Sequence, residues 1–385
     1  MKLLLLLPFL LFIACNSAED RANKISQDYL DQFSSDITEN ELNEFISKTS
    51  KLFDEHNSVE LNTVFDLKAC YYRGHIKHNG SPEFIKYIDG IVSGSNSNFS
   101  LFDQLSSTFP LIGHVKTYKS ENNEHIVVFR AYGDQGLNYL EFLLGKKDGK
   151  IFILDIYPAI SFEYISSSLY EVLQNMKNGD ISKGHSDADI ISSVRTHMNS
   201  GEFEIASETL QSLDRDSPLR DTKIFKLLEI NIASQLDDND YLNRLEDFKT
   251  DYGNETGVNL LLVDYYLLKE DFDKTLMCIA DVQDRYPDDH ILNVIKGTVH
   301  SLKGDYVSCV YYYELASEKY PEMMEIHDYL LVAYFNASEY KKGFEKIDFL
   351  IGEDYLTLED ANTFLSNSFT DFEDWPDYKE WKSRS

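Results

Sequence analysis

Phe272, Tyr306 and Tyr340 stand at successive 34-residue steps, and Tyr286-Pro287 and Tyr320-Pro321 recur at the same step. A fixed period of this length constrains a chain more tightly than any composition does. It marks a stacked helix–turn–helix array, because one two-helix unit cannot bury its apolar stripe alone and neighbouring units must cover it. Five units are read: about Ala188–Pro218, Asp221–Gly253, Gly257–Pro287, His290–Pro321 and a more degenerate Met324–Tyr355. Gly201-Glu202-Phe203 marks the first turn and Tyr241 the second. Asp237-Asp238-Asn239-Asp240 lacks the glycine and closing glutamate of a calcium loop and reads as a polar turn between helices.

The fourth unit carries the pattern most fully. Gly297 lies in its first helix, Gly304-Asp305-Tyr306 at its turn, Tyr313 and Ala316 in its second helix, and Pro321 after it. In this the chain resembles the tetratricopeptide repeats, which set small residues where helices cross and aromatics between units. It departs from them at Thr275 and Cys309, which hold the small-residue site after the turn, and at Val263 and Leu331, which replace the first-helix glycine. The resemblance implies an all-α solenoid over residues 188–355, with a capping helix and tail over 356–385. Both tryptophans, Trp375 and Trp381, lie in that tail and are expected to cover the end of the array. The family's first helices line a concave groove for peptides or extended segments. Mapped by position, the groove here would show Asp264, Leu267, Thr298, Asp328, Val332 and Phe335. It has no Lys/Asn cluster of the kind that clamps a C-terminal carboxylate.

The amino-terminal end sets a second constraint. Met1–Ala14 has one Lys ahead of about a dozen apolar residues, too short for a permanent span and suited to a secretory signal core. Its ending, Phe12-Ile13-Ala14-Cys15, resembles a bacterial lipobox, with Phe12 where leucine is usual. The resemblance implies a signal peptide over 1–14, diacylation of Cys15 and a polar tether over 15–21. Several acyl chains, at about 0.8 kcal/mol per buried methylene, would hold such a chain firmly to a membrane. Asn16 after the cysteine implies, by similarity to enterobacterial lipoproteins, an outer-membrane address in the cell envelope, facing either the periplasm or the exterior.

Residues 22–176 read as an α+β domain. Helical faces occur at Ile25–Phe33, after Thr38-Glu39-Asn40-Glu41 and after Ser81-Pro82-Glu83, with Leu61–Ala69 apolar as either helix or strand. Four strands follow, Leu111–Tyr118, His125–Tyr132, Leu137–Leu144 and Lys150–Tyr157, joined by short turns that make neighbours antiparallel. Asp148-Gly149 is a hairpin turn signal. A helix over Ser161–Met176 closes the domain, and the polar, glycine-bearing 177–187 is a linker. The layout resembles the NTF2-like or cystatin-like folds, in which a helix packs into a cupped sheet.

Some proteins of that layout are enzymes with a carboxylate in the cup, so Glu141 and Asp155 are the candidate acids. Two acids sharing a proton in a pocket would do acid/base work. A one-residue slip in register would instead put them on opposite faces, and they are expected on the solvated or rim side. His75 and His78 have metal-ligand spacing on a helix but no third ligand nearby, and are expected to be exposed loop residues. Four widely spaced cysteines exclude a disulfide framework, and Cys278 and Cys309 are expected as buried thiols. Against 36 Lys+Arg stand 66 Asp+Glu, a net charge of −30 that repels nucleic acid and anionic lipid headgroups. The sequence thus points to a membrane-tethered, non-enzymatic scaffold or adaptor without a cofactor, working on a protein or peptide partner. The alternative is a ligand- or glycan-binding protein, or a hydrolase, with a pocket in the α+β domain.

Overall fold

The computed structural model describes residues 7–93, 102, 103, 105, 109, 111–133, 136–178, 187–255, 257–370 and 372–383. Most of the Ser/Asn-rich stretch 93–100 and of the linker at 177–187 lies outside them, as do the first six residues of the signal segment. The chain divides into two compact units, Met1–Leu261 and Leu262–Ser385. It is mostly helical, with one four-stranded antiparallel sheet in the first unit. Among the described residues, no helix is long and apolar enough to cross a membrane.

The first unit opens with α1 (Leu7–Leu30), α2 (Glu39–Asp54), α3 (Ser58–Val64), α4 (Leu67–Lys77) and α5 (Pro82–Ser93). Helix α2 begins where its sequence dictates: the Thr38 hydroxyl accepts from the Glu41 amide, and the Glu41 carboxylate accepts from the Thr38 amide. Phe65 breaks the run between α3 and α4 and pairs with Ile153 of the sheet, so the ambiguous Leu61–Ala69 segment is two helices with a bridge residue between them.

Strands β1 (Leu111–Lys119), β2 (His125–Gly133), β3 (Gly136–Lys147) and β4 (Lys150–Pro158) form a meander in chain order. Asp148 and Gly149 both have positive φ, at 50° and 76°, the geometry a two-residue hairpin needs to match strand twist. Val127, Phe129, Ala131, Leu140, Phe142 and Ile156 point to one face and form a core with Leu42, Phe45, Leu52 and Phe53 of α2 and Leu61 of α3. The opposite face is buried as well, which makes β2 and β3 almost continuously buried along their length.

Helix α6 (Ile165–Asn178) packs on α4 and β4. Two helical pairs complete the first unit: α7 (Asp187–Asn199) with α8 (Phe203–Gln211), and α9 (Lys223–Leu236) with α10 (Asp238–Tyr252). Asp237 sits between the last two and accepts from the Asp240 amide, so the acidic run is a cap and turn. Lys223, at the start of α9, lies 3.9 Å from the Phe162 ring centre and makes ion pairs with Glu163 and Glu255.

The second unit takes in most of α11 (Asn259–Leu268). It continues with α12 (Phe272–Arg285), α13 (Ile291–Leu302), α14 (Tyr306–Lys319), α15 (Met324–Asn336), α16 (Tyr340–Gly352), α17 (Leu358–Ser368) and α18 (Pro376–Lys382). From α13 to α16 each helix packs on the one before it. The 34-residue step is exact in the backbone. Asp271, Asp305 and Glu339 occupy the N-cap positions of α12, α14 and α16, with φ within two degrees of each other at −86°, −88° and −86°. Tyr286 and Tyr320 end α12 and α14 with φ −126° and −125° and the same ψ of 65°. Thr275, Cys309 and Gly343 are buried at one shared position, and Cys278 is buried one turn after the first of them. Gly297 is required: a Cβ there would lie 2.6 Å from the Tyr313 ring.

The turns before α12, α14 and α16 also each place a residue at positive φ: Glu270 at 55°, Gly304 at 73° and Ser338 at 61°. Only the middle one is glycine. A side chain in the left-handed region costs roughly 1–2 kcal/mol, part of which glycine gives back through the entropy of the unfolded chain. Glu270→Gly and Ser338→Gly should therefore each raise the unfolding free energy by up to about 1 kcal/mol, read by urea denaturation. Gly304→Ala should lower it.

Candidate functional site

The six groove positions fall on α11, α13 and α15 of the second unit. Asp264, Thr298 and Val332 share one position at 34-residue steps. Asp264 and Val332 are exposed. Thr298 is half-buried; its hydroxyl lies 3.0 Å from the Tyr313 hydroxyl and donates to the Val294 carbonyl. Asp328 accepts from the Tyr355 hydroxyl at 2.9 Å, and Leu267 is half-buried.

Phe335 does not belong with them. It is 2 % exposed and packs against Phe344, Phe364, Phe369 and Trp375. It shares its repeat position with Leu267, but in the last pair the carboxy-terminal residues cover that position. The same tail seats Trp381 against Phe344, with ring centres 5.2 Å apart, and stacks Trp375 on Tyr340 at 4.1 Å.

Glu141 and Asp155 are not on the solvated or rim side of the sheet: they are 3 % and 1 % exposed. Glu141 pairs across the ladder with Tyr157, and Leu143 with Asp155, so the two acids are diagonal neighbours on one face. Helices and the loop after β4 cover that face, which is why acids in apolar strands are buried here. The Tyr118 hydroxyl donates to Glu141 at 2.6 Å.

Asp155 sits beside a bulge at Leu143/Leu144, which leaves Leu154 unpaired and turns it toward a cleft. Its Oδ1 accepts from the Ile156 amide at 2.9 Å, the Ser166 amide at 3.2 Å and the Cys70 thiol at 3.6 Å. Ser166 is in the first turn of α6, where amides lack helical partners and a carboxylate is favoured. Oδ2 accepts from Arg73 Nε at 3.4 Å, and Arg73 Nη1 reaches Glu124 at 3.2 Å. Burial raises the Asp155 carboxyl pKa, opposed by the Arg73 charge and the amide bonds. Burial likewise pushes the Cys70 thiol well up and the Tyr164 hydroxyl to about 12. The cleft is about 700 Å³, within the range of small-molecule sites.

His75 and His78 are not exposed loop residues. His75 lies in α4, fully buried, with Nδ1 3.1 Å from the Ser26 hydroxyl and its ring against Phe84. His78 caps α4 and stacks on Tyr170 at 4.7 Å. Burial lowers both pKa values. Among the described residues, no group of three or more His, Cys, Asp or Glu is placed to hold a metal ion. The Cys15 side chain lies outside the described residues.

Arg73 and Lys77 are the residues that reading the sequence missed. They are one turn apart on α4, and both line the cleft. A signal was there: an arginine inside Ala69-Cys70-Tyr71-Tyr72-Arg73-Gly74, an otherwise uncharged helical run, implies an acid waiting in the fold.

No family model matches the chain, and no curated protein does. A solved structure of MamA from AMB-1 aligns over 45 % of this chain and 94 % of its own, at 16 % identity and a TM-score of 0.34, a likeness too slight to carry an argument.

Proposed function

We propose that this chain is a lipid-anchored, non-catalytic scaffold or adaptor of the bacterial cell envelope. In this reading tetratricopeptide-like repeats hold a protein or peptide partner, alongside an α+β domain of NTF2-like or cystatin-like layout. The observation that supports it most is the 34-residue recurrence of N-caps and left-handed turn residues before α12, α14 and α16, with matching helix ends in α12 and α14. Repeating backbone units with one varied position, Asp264, Thr298 and Val332, exposed in the first and last and half-buried in the middle one, are how a repeat array presents a partner surface on a constant frame. The lipobox-like Phe12-Ile13-Ala14-Cys15 supports the anchor. The non-catalytic reading draws on Asp155, whose oxygens are engaged by two amides, a thiol and a guanidinium that join β4, α4 and α6.

Two measurements test this. Metabolic labelling with an alkyne fatty acid should tag the native chain and leave Cys15→Ser untagged; equal labelling of both removes the anchor. A photo-crosslinking residue at position 332 should give one discrete adduct in native envelopes, weakened by Asp328→Lys. A smear, or an adduct indifferent to Asp328→Lys, removes the groove.

A further inference from the structure

The cleft between α1, α4, β4 and the start of α6 is work the repeats do not need. Arg73 lines it, pinned by Asp155 through Nε and by Glu124 through Nη1, with no hydrogen bond to Nη2 among the described residues. An arginine present only to neutralise Asp155 would turn a two-nitrogen edge on that carboxylate. Here one nitrogen reaches it at 3.4 Å, and the guanidinium is spread across the cleft instead. Lys77, one turn further along α4, spends one donor on the Ser167 hydroxyl at 2.7 Å and makes no ion pair among the described residues, with Glu171 within electrostatic reach. Asp31, exposed at the cleft, accepts from Gln27 through Oδ1, with no hydrogen bond to Oδ2 among the described residues. Leu30, Phe33, Ile76 and Leu154 supply apolar wall between these charges.

Both signs of charge thus line one cleft, with apolar wall among them. A purely anionic ligand would face Asp31, Glu124 and Asp155 in a chain of net charge −30, and a purely cationic one would face Arg73 and Lys77. We infer that the cleft binds a small apolar zwitterion, an amino acid or short peptide with free ends, its carboxylate on Lys77 and Arg73 Nη2 and its ammonium on Asp31. This does not depend on the repeat array having a partner.

The test is calorimetric titration of the full-length chain in detergent with Leu-Leu, its C-terminal amide and its N-acetyl form. Leu-Leu should bind saturably. Amidation and Lys77→Met should each weaken it about tenfold, and the amide should lose little more on Lys77→Met, since both remove the same contact. N-acetylation and Asp31→Asn should pair in the same way at the other end. Asp31 is exposed, so thermal melting of Asp31→Asn should match the parent, and Lys77→Met, which loses the Ser167 hydrogen bond, should melt only slightly lower. The inference is overturned by absence of saturable binding at about 1 mM peptide, by equal binding of acid and amide, or by Asp31→Asn and acetylation leaving affinity unchanged.

Discussion

Trp381→Ala should lower the unfolding free energy by about 3–5 kcal/mol, the largest single-residue loss expected in the second unit. The indole is 2 % exposed, stacks on Phe344 and packs near Tyr378, and its Nε1 donates to Asp348 at 2.6 Å. A repeat array has no next unit at its end, so whatever covers the last apolar face holds the whole stack closed. Trp381→Phe should keep most of the packing and lose the hydrogen bond, for about 1–2 kcal/mol, as should Asp348→Ala. Urea denaturation, read by far-ultraviolet circular dichroism, gives all three values. A loss under about 1 kcal/mol for the alanine variant would mean the tail decorates the array and does not close it.

The second large effect concerns Asp155. Its removal leaves the amides of Ile156 and Ser166 without their acceptor and Arg73 with Glu124 alone. Breaking a buried charge pair from one side costs about 3–5 kcal/mol, so Asp155→Ala should be destabilised by that order. Asp155→Asn keeps an acceptor oxygen for the amides and should lose less. The pH dependence separates packing from charge. Burial raises the Asp155 pKa above its unfolded value, so the folded chain holds a proton that the unfolded chain has already released. The stability this gives is full below the unfolded value, near about 4, and drains as pH rises through the folded value. The parent should therefore lose stability over that window by a component missing from Asp155→Asn. Parallel pH profiles for the two would show that Asp155 titrates as an ordinary carboxyl.

Much of the fold was legible in the sequence because its signals were local. Alternation and turn residues bounded all four strands to within a few positions, and Asp148-Gly149 named its hairpin because both residues tolerate positive φ. Thr38 and Glu41 announced α2 because the capping contacts lie within one turn. The 34-residue step through Phe272, Tyr306 and Tyr340 marked turns at which helices begin, since each repeat solves the same packing problem.

Chain order alone said nothing about what meets across distance. Whether Glu141 and Asp155 share a face depended on register and on a bulge at Leu143/Leu144. That the face is buried depended on helices and a loop from elsewhere in the chain. Phe335 left the groove because the tail returns to cover it, although its repeat position is that of half-buried Leu267. Arg73, Lys77 and Asp31 became one site only when α1 and α4 packed side by side. Period and turn chemistry are short-range and survive in a string of residues. Burial, register and the meeting of charges are set by segments tens of residues apart, and only the folded chain decides them.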